Sequence, residues 1–128
     1  MTLDTSALVA ILLSEPGALD LVDKILEAEV VRVGTPTLAE TAAVLAHRRR
    51  GPALPEVRGL LDELRVTVVP FGSAEWEAAT LAYERFGRGR HKAALNLGDC
   101  LAYATAAVAG DSLLFVGNDF TKTDIRRA

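Results

Sequence analysis

Four acidic residues of this chain, Asp4, Glu40, Asp99 and Asp119, stand in settings where their side chains could work together. Carboxylates that converge repel one another, so they either hold protons more tightly or bind a cation. Ligation by oxygen alone suits Mg²⁺ or Mn²⁺, and Mg²⁺ completes its shell with water and substrate phosphate oxygens. If the fold brings the four acids together, the set indicates metal-assisted chemistry on phosphate.

Each acid taken alone has a simpler structural explanation. Asp4 precedes an apolar helix and Asp99 lies near the start of another, where acidic side chains cap or stabilise a helix N-terminus. Glu40 would lie in the first turns of a third helix, and Asp119 belongs to Gly117-Asn118-Asp119, which is ordinary turn chemistry. A structural role stays open for each residue, and only the combination favours a functional site.

The hydrophobic pattern predicts strands that alternate with helices. The predicted strands are Met1–Leu3, Val30–Val33, Val66–Val69, which reads as buried, and Leu113–Val116. The predicted helices are Ser6–Leu13, Ala18–Ala28, Thr35–Arg49, Pro55–Leu64, Ser73–Phe86 and Leu97–Ala109. A polar loop is expected from Arg88 to Leu95, and the tail from Asn118 to Ala128 leaves room for one short final strand.

This alternation predicts an α/β fold, a three-layer α/β/α sandwich with a mostly parallel central sheet, in a single domain over residues 1–128. Ligands of such folds bind at the carboxyl ends of the strands. Asp4 and Asp119 follow predicted strands, whereas Glu40 and Asp99 open helices. All four are therefore expected at one edge of the sheet.

Composition narrows the class of protein. The chain has 128 residues, half of them hydrophobic, one cysteine and a net charge of −3. One cysteine excludes an internal disulfide and a cysteine-rich zinc site, which suits a reducing cytoplasm. No uncharged stretch is long enough to cross a bilayer, and no basic segment precedes the first apolar one, so neither a membrane span nor a secretory signal is expected.

Basic residues are clustered although the chain is acidic overall. The clusters are His47–Arg50, the segment that holds Arg85, Arg88, Arg90, His91 and Lys92, and the pair Arg126-Arg127. An acidic balance argues against indiscriminate coating of nucleic acid, but it permits an enzyme with local basic contacts. Solvated helix ends remain the alternative explanation for each cluster.

Four segments together resemble the VapC-type toxins of the PIN-domain family. The segments are Leu3–Leu8, Thr37–Glu40, Leu95–Cys100 with Tyr103-Ala104, and Leu114–Phe120. They run in order over essentially the whole chain, and the first and third are the most specific. The family fold is an α/β/α sandwich around a parallel sheet, which agrees with the pattern above.

The resemblance implies an endoribonuclease that is the toxin of a toxin–antitoxin pair. Asp4, Glu40, Asp99 and Asp119 would hold one or two Mg²⁺ or Mn²⁺ ions, with Ser6 as a polar neighbour and Asp124 as a supporting carboxylate. Water activated by the metal would hydrolyse an RNA phosphodiester and leave 5′-phosphate and 3′-hydroxyl ends.

Contacts and partners also follow from the resemblance. Arg85, Arg88, Arg90 and Lys92 would hold RNA phosphates beside the cleft. The expected partners are the RNA substrate, a small antitoxin protein and a second copy of the chain in a homodimer. The apolar residues Leu8, Ile11, Leu12 and Leu13 are candidates for the dimer or antitoxin surface, with core packing as the alternative.

A second hypothesis is a PIN-fold module that binds RNA or a protein partner without cutting. The presence of all four acids speaks against it, because a non-catalytic member would be free to lose a ligand. The sequence has two histidines and no plausible Ser-His-Asp set, so no side-chain nucleophile is expected.

Overall fold

Four short strands form one parallel sheet in the computed structural model, which describes residues 1–49 and 51–128. They are β1 (Thr2–Leu3), β2 (Arg32–Gly34), β3 (Thr67–Val69) and β4 (Leu113–Leu114), and they lie in the order β3-β2-β1-β4. Every neighbouring pair is parallel, with Thr2 opposite both Arg32 and Leu113. The short final strand considered for the tail is a single parallel pairing between Leu113 and Arg127.

Helices connect these strands, because parallel neighbours can only be joined by crossovers. The helices are α1 (Thr5–Leu12), α2 (Ala18–Glu27), α3 (Thr35–Arg49), α4 (Leu54–Glu63), α5 (Ser73–Phe86) and α6 (Leu97–Ala109), followed by a 3₁₀ turn at Asp119–Lys122. The predicted helices are thus confirmed to within two residues at their ends. None of the helices in the described ranges is long and apolar enough to span a bilayer.

Two separate apolar cores confirm the three-layer sandwich. One core joins residues of α1 to α4, such as Leu8, Ile25, Leu45 and Leu61, to one face of the sheet. The other joins α5 and α6 to the opposite face. Leu114 enters the first core and its neighbour Leu113 the second, as the alternating pleat of a strand requires.

The strand order places a topological switch point between β1 and β4. The chain moves outwards from β1 through β2 to β3 and then returns across the sheet, by α5 and α6, to β4 on the other side of β1. Connections on either side of such a point lie on opposite faces and leave a crevice at the carboxyl ends of the two strands. A ligand site is therefore expected just after Leu3 and Leu114.

Two expectations about burial need correction, and one basic residue cannot be placed. The segment 66–69 is not a buried strand: only Val66 is buried, and β3 is an edge strand with Val68 44% exposed. Leu8 is fully buried and belongs to the core, so it cannot line a docking surface. Arg50, in the first basic cluster, lies outside the described residues.

Candidate active site

The four predicted acids lie at the carboxyl edge of the sheet. Asp4 directly follows β1, and its backbone N–H donates to the carbonyl of Leu114 in β4 at 3.0 Å. Asp119 opens the 3₁₀ turn that follows β4, Glu40 lies in the second turn of α3, and Asp99 lies in the first turn of α6. Two acids thus flank the switch point, and two enter from the starts of helices.

Asp4 is buried and anchors the start of α1. Its carboxylate accepts from the backbone N–H of Ser6 at 2.9 Å and from the Ser6 hydroxyl, so the capping role considered for it is real. The Ser6 hydroxyl in turn accepts from the backbone N–H of Val116 at 2.9 Å. Ser6 therefore fixes Asp4 and ties the start of α1 to the segment after β4.

Glu40 is held between α1 and α6. The hydroxyl of Thr5 donates to its Oε2 at 2.7 Å. On the other side the carboxylate lies against the backbone of Gly98: a methyl group at that position would lie 2.5 Å from Oε1 of Glu40. A side chain at position 98 would push the carboxylate of Glu40 away, so Gly98 lets that carboxylate lie against the start of α6.

Asp99 forms a reciprocal capping box with Asn96. The backbone N–H of Asn96 donates to Oδ2 of Asp99 at 2.8 Å, and the N–H of Asp99 donates to Oδ1 of Asn96 at 2.9 Å. Burial raises the pKa of Asp99 to about 6, against the lowering effect of the Asn96 hydrogen bond. The charges of Asp4, Asp119 and Glu40 contribute to this rise, so Asp99 lies within the range of repulsion from the other three acids.

The four acids concentrate negative charge at one edge of the sheet. Burial, with a contribution from Glu40, also raises the pKa of Asp4. No ion pair to any of the four occurs in residues 1–49 and 51–128. Over the same residues, no three acids, histidines or cysteines stand close enough together to form a ready-made metal cluster. The acids are therefore close enough to repel one another but are not arranged as metal ligands. One carboxylate oxygen of each of Asp4, Glu40 and Asp99 accepts a hydrogen bond from a nearby residue.

The donor set nevertheless fits a hard divalent cation. It offers carboxylate oxygens only, and burial, together with the charge of neighbouring acids, raises the pKa of Asp4 and Asp99. Cys100 cannot serve as a soft ligand or nucleophile here, since it is fully buried and burial raises the pKa of its thiol to about 11. What the geometry can support is chemistry that needs concentrated negative charge around a cation.

Comparison with known proteins identifies the family. The model of the PIN domain matches residues 1–126. "Ribonuclease VapC" of Mycolicibacterium smegmatis is 43% identical over 125 residues, which cover 98% of this chain and 97% of that protein. "Ribonuclease VapC30" of Mycobacterium tuberculosis is 41% identical over 126 residues, 98% of this chain and 95% of that protein. The chain belongs to the VapC ribonuclease family of PIN-domain proteins.

Solved structures agree with the fold. VapC20 of Mycobacterium tuberculosis, described as a sarcin-ricin loop cleaving toxin, superposes with a TM-score of 0.79 at 17% identity and covers 99% of this chain and 97% of that one. VapBC2 of Rickettsia felis, solved with a DNA fragment from its promoter, gives a TM-score of 0.69 at 13% identity, over 98% of this chain and 94% of that one. The α/β sandwich predicted from the sequence is thereby confirmed.

Asp124, predicted as a supporting carboxylate, has other partners. Its Oδ1 accepts from the hydroxyl of Tyr103 and its Oδ2 from Arg85, both at 2.6 Å. The Tyr103 hydrogen bond and the Arg85 guanidinium lower the pKa of Asp124. These partners belong to α6 and α5 respectively. Asp124 pins the C-terminal segment that carries Asp119 to α5 and α6.

The basic residues of segment 85–92 divide into two kinds. Arg85 is paired with Asp124 and stacks on the ring of Phe86, 4.5 Å from its centroid. Arg88, Arg90 and Lys92 are exposed, and in the described parts of the chain their charged groups have no ion-pair partner. All four cations are exposed, and Arg85 differs from the other three in that it pairs with Asp124.

Sequence reasoning missed the residues that position the acids. Thr5, Gly98 and Asn96 each hold Glu40 or Asp99 in place. Asn96 had a visible signal, since Asn followed three residues later by an acid resembles a capping pair. The contact of Thr5 with Glu40 had none, because 35 residues separate the two in the chain.

Proposed function

We propose that this chain is a divalent-metal-dependent endoribonuclease and the toxin of a toxin–antitoxin pair, with Asp4, Glu40, Asp99 and Asp119 as its catalytic carboxylates. The observation that carries the proposal is the placement of four acids at the switch point of a parallel sheet, where the other three all raise the pKa of Asp99. The ribonuclease names of relatives over 40% identical support the choice of substrate.

Mg²⁺ or Mn²⁺ would be held by the four acids through the oxygens that local hydrogen bonds leave free. Such an ion supplies Lewis acidity, both to water and to the phosphate under attack. The residues of the chain do the positioning: Ser6 and Thr5 orient Asp4 and Glu40, and the capping box orients Asp99. Fixed ligands in a partly buried site need little rearrangement during the reaction.

The exposed cations of segment 85–92 would hold the RNA. Arg88, Arg90 and Lys92 lie on the loop that leads directly into α6 and therefore towards Asp99. Each can neutralise a phosphate and release bound counterions. Arg85 was predicted with them, but its pairing with Asp124 assigns it mainly to the support of the C-terminal segment.

The antitoxin would dock on the α1–α2–α4 face. A groove there is lined by Ile11, Leu12, Val22 and Leu60, and Leu19 beside it is 80% exposed. An amphipathic helix recognises such a groove through apolar residues on one face.

We also propose that the chain forms a homodimer, that it is located in the cytoplasm and that residues 1–128 form one domain.

Cleavage of total RNA by the purified, antitoxin-free protein tests the proposed activity. We expect discrete fragments with 5′-phosphate ends in Mg²⁺ or Mn²⁺ and none in EDTA. Asp99→Asn should lose the activity and remain folded, because an amide can still accept the Asn96 hydrogen bond. Asp62→Asn, an exposed acid on α4, is the matched control and should cut normally.

Two outcomes would argue against the proposal. Cleavage that persists in EDTA or in Asp99→Asn would remove the metal role of the acids. Folded protein that binds RNA in Mn²⁺ but never cuts it would instead favour the non-catalytic binding module.

A further inference from the structure

An open groove with exposed aromatic side chains lies between α5 and α6. Trp76 and Tyr83, two helical turns apart on α5, are 63% and 40% exposed, and Leu97 on α6 is 64% exposed. The wide part measures about 400 Å³ and is lined by Trp76, Thr80, Tyr83, Arg90, Leu97 and Leu101, among others. We call this surface the α5–α6 groove. It is large enough for a small planar ligand.

The groove runs to the start of α6, the helix that carries Asp99. A narrower extension shares Tyr83 and Leu97 with the wide part and adds Arg88 and Asn96. Asn96 caps α6 and donates its backbone N–H to Asp99. Leu97 and Asp99 lie on the same first turn of α6, which rises about 5.4 Å. A molecule seated in the extension therefore contacts Asn96, the residue that caps Asp99.

Charge divides the groove into two parts. Arg88 and Arg90 bring guanidinium groups that have no ion-pair or side-chain hydrogen-bond partner within residues 1–49 and 51–128. Glu84 lines the wide part beside the aromatic rings. Phosphate is favoured near the arginines and disfavoured near Glu84, whereas a neutral base suits the aromatic part.

We infer that the α5–α6 groove binds unpaired nucleotides of the RNA that flank the cleaved bond, with a base stacked on Trp76 and phosphates held by Arg88 and Arg90. The inference rests on the proposed ribonuclease function. Aromatic stacking beside a cationic track is how proteins hold single-stranded nucleic acid, and it tolerates any base. Trp, Tyr and Arg are also enriched in protein–protein interfaces, so a second copy of the chain is the competing occupant. The two arginines, unpaired within the described residues, and the continuity of the groove with the start of α6 favour a ligand that carries phosphates.

Trp76 makes the inference directly testable, because it is the only tryptophan of the chain. A short mixed-sequence single-stranded RNA is titrated into the full chain in EDTA, where no cleavage is expected. Base stacking should quench the Trp76 fluorescence. By anisotropy of a labelled RNA, Trp76→Ala should bind roughly 5-fold to 100-fold more weakly, the range that loss of one stacked base gives.

Matched variants separate stacking from general effects. Leu81→Ala changes an apolar residue of similar exposure on the same helix that does not line the groove, and it should bind normally. Trp76→Phe keeps an aromatic face and should retain most of the affinity. Arg90→Ala should weaken binding and reduce its salt dependence by about one phosphate contact.

Three results would overturn the inference. The first is no quenching together with unchanged affinity in both Trp76 variants. The second is a Trp76→Ala chain that changes from dimer to monomer in sedimentation while RNA affinity is unchanged, since the groove would then be a protein interface. The third is equal cleavage and equal KM of Trp76→Ala and the unaltered chain in Mn²⁺, which would leave the proposed nuclease intact. Quenching without any cleavage in Mn²⁺ would support the groove and contradict the nuclease.

Discussion

Carboxylates at the two edges of the sheet differ in whether a cation compensates their charge. At the amino edge, Asp111 accepts from the hydroxyl of Thr2 at 2.9 Å and from Arg32 at 3.0 Å, and the charged N-terminus lies 3.7 Å away. At the carboxyl edge, four acids share no cation in the described parts of the chain. Compensated charge serves the fold, whereas uncompensated charge costs stability and is kept where a ligand can use it.

The largest expected effect comes from the carboxyl edge. Asp4→Asn should lower RNA cleavage by more than about 100-fold, because it removes one charged oxygen ligand of the proposed metal site. The fold should survive, since Asn caps a helix as well as Asp and can accept the same Ser6 hydrogen bond. Cleavage rates measure the loss of activity, and circular dichroism checks that the variant is folded. An active Asp4→Asn would mean that the acids of the carboxyl edge are not needed for the reaction.

The same change at the amino edge should affect stability and spare activity. Asp111→Asn weakens a partly buried contact with Arg32 and the N-terminus, which we expect to cost about 1–2 kcal/mol of unfolding free energy. Urea denaturation measures this loss. Cleavage per folded molecule should equal that of the unaltered chain, and a large drop in activity would mean that the two edges are coupled.

The smallest expected effect is the pH dependence of stability that the acids of the carboxyl edge produce. Burial and like charges raise the pKa of Asp4 and Asp99, so the metal-free folded chain binds protons more tightly there than the unfolded chain. In EDTA, stability should fall as pH rises from about 4, the unfolded value, through about 6, the folded pKa of Asp99. Thermal melts of the unaltered chain and of Asp99→Asn measure this. The variant should lose less stability across that window, and equal pH profiles would contradict the assigned repulsion.

The features of the fold that could be predicted from the sequence are those whose signals lie within a few neighbouring residues. Pro36 and Gly51-Pro52 bounded α3, Gly87 ended α5 and the apolar pattern placed α6, because these signals are local. The burial of β3 was wrong, since an edge strand and a central strand can share one apolar pattern. Strand order, which decides between them, depends on contacts distant in sequence.

The site shows the same division. The four acids were predicted from motif and topology, and the structure places them at one edge. Their exact spacing, the Thr5 contact with Glu40 and the partners of Asp124 could not be predicted, because each joins residues far apart in the chain. The exposure of Trp76 was equally hidden, as helical spacing alone does not tell which face packs.

The capping box at Asn96 and Asp99 constrains how this chain can drift in evolution. Asp99 belongs at once to the charged edge and to the hydrogen-bonded start of α6. A lineage released from selection for activity can replace it by Asn and keep the helix start, whereas Ala would remove the acceptor. Inactive descendants should therefore carry Asn at position 99 more often than Ala. Such a substitution would abolish activity and leave the fold intact.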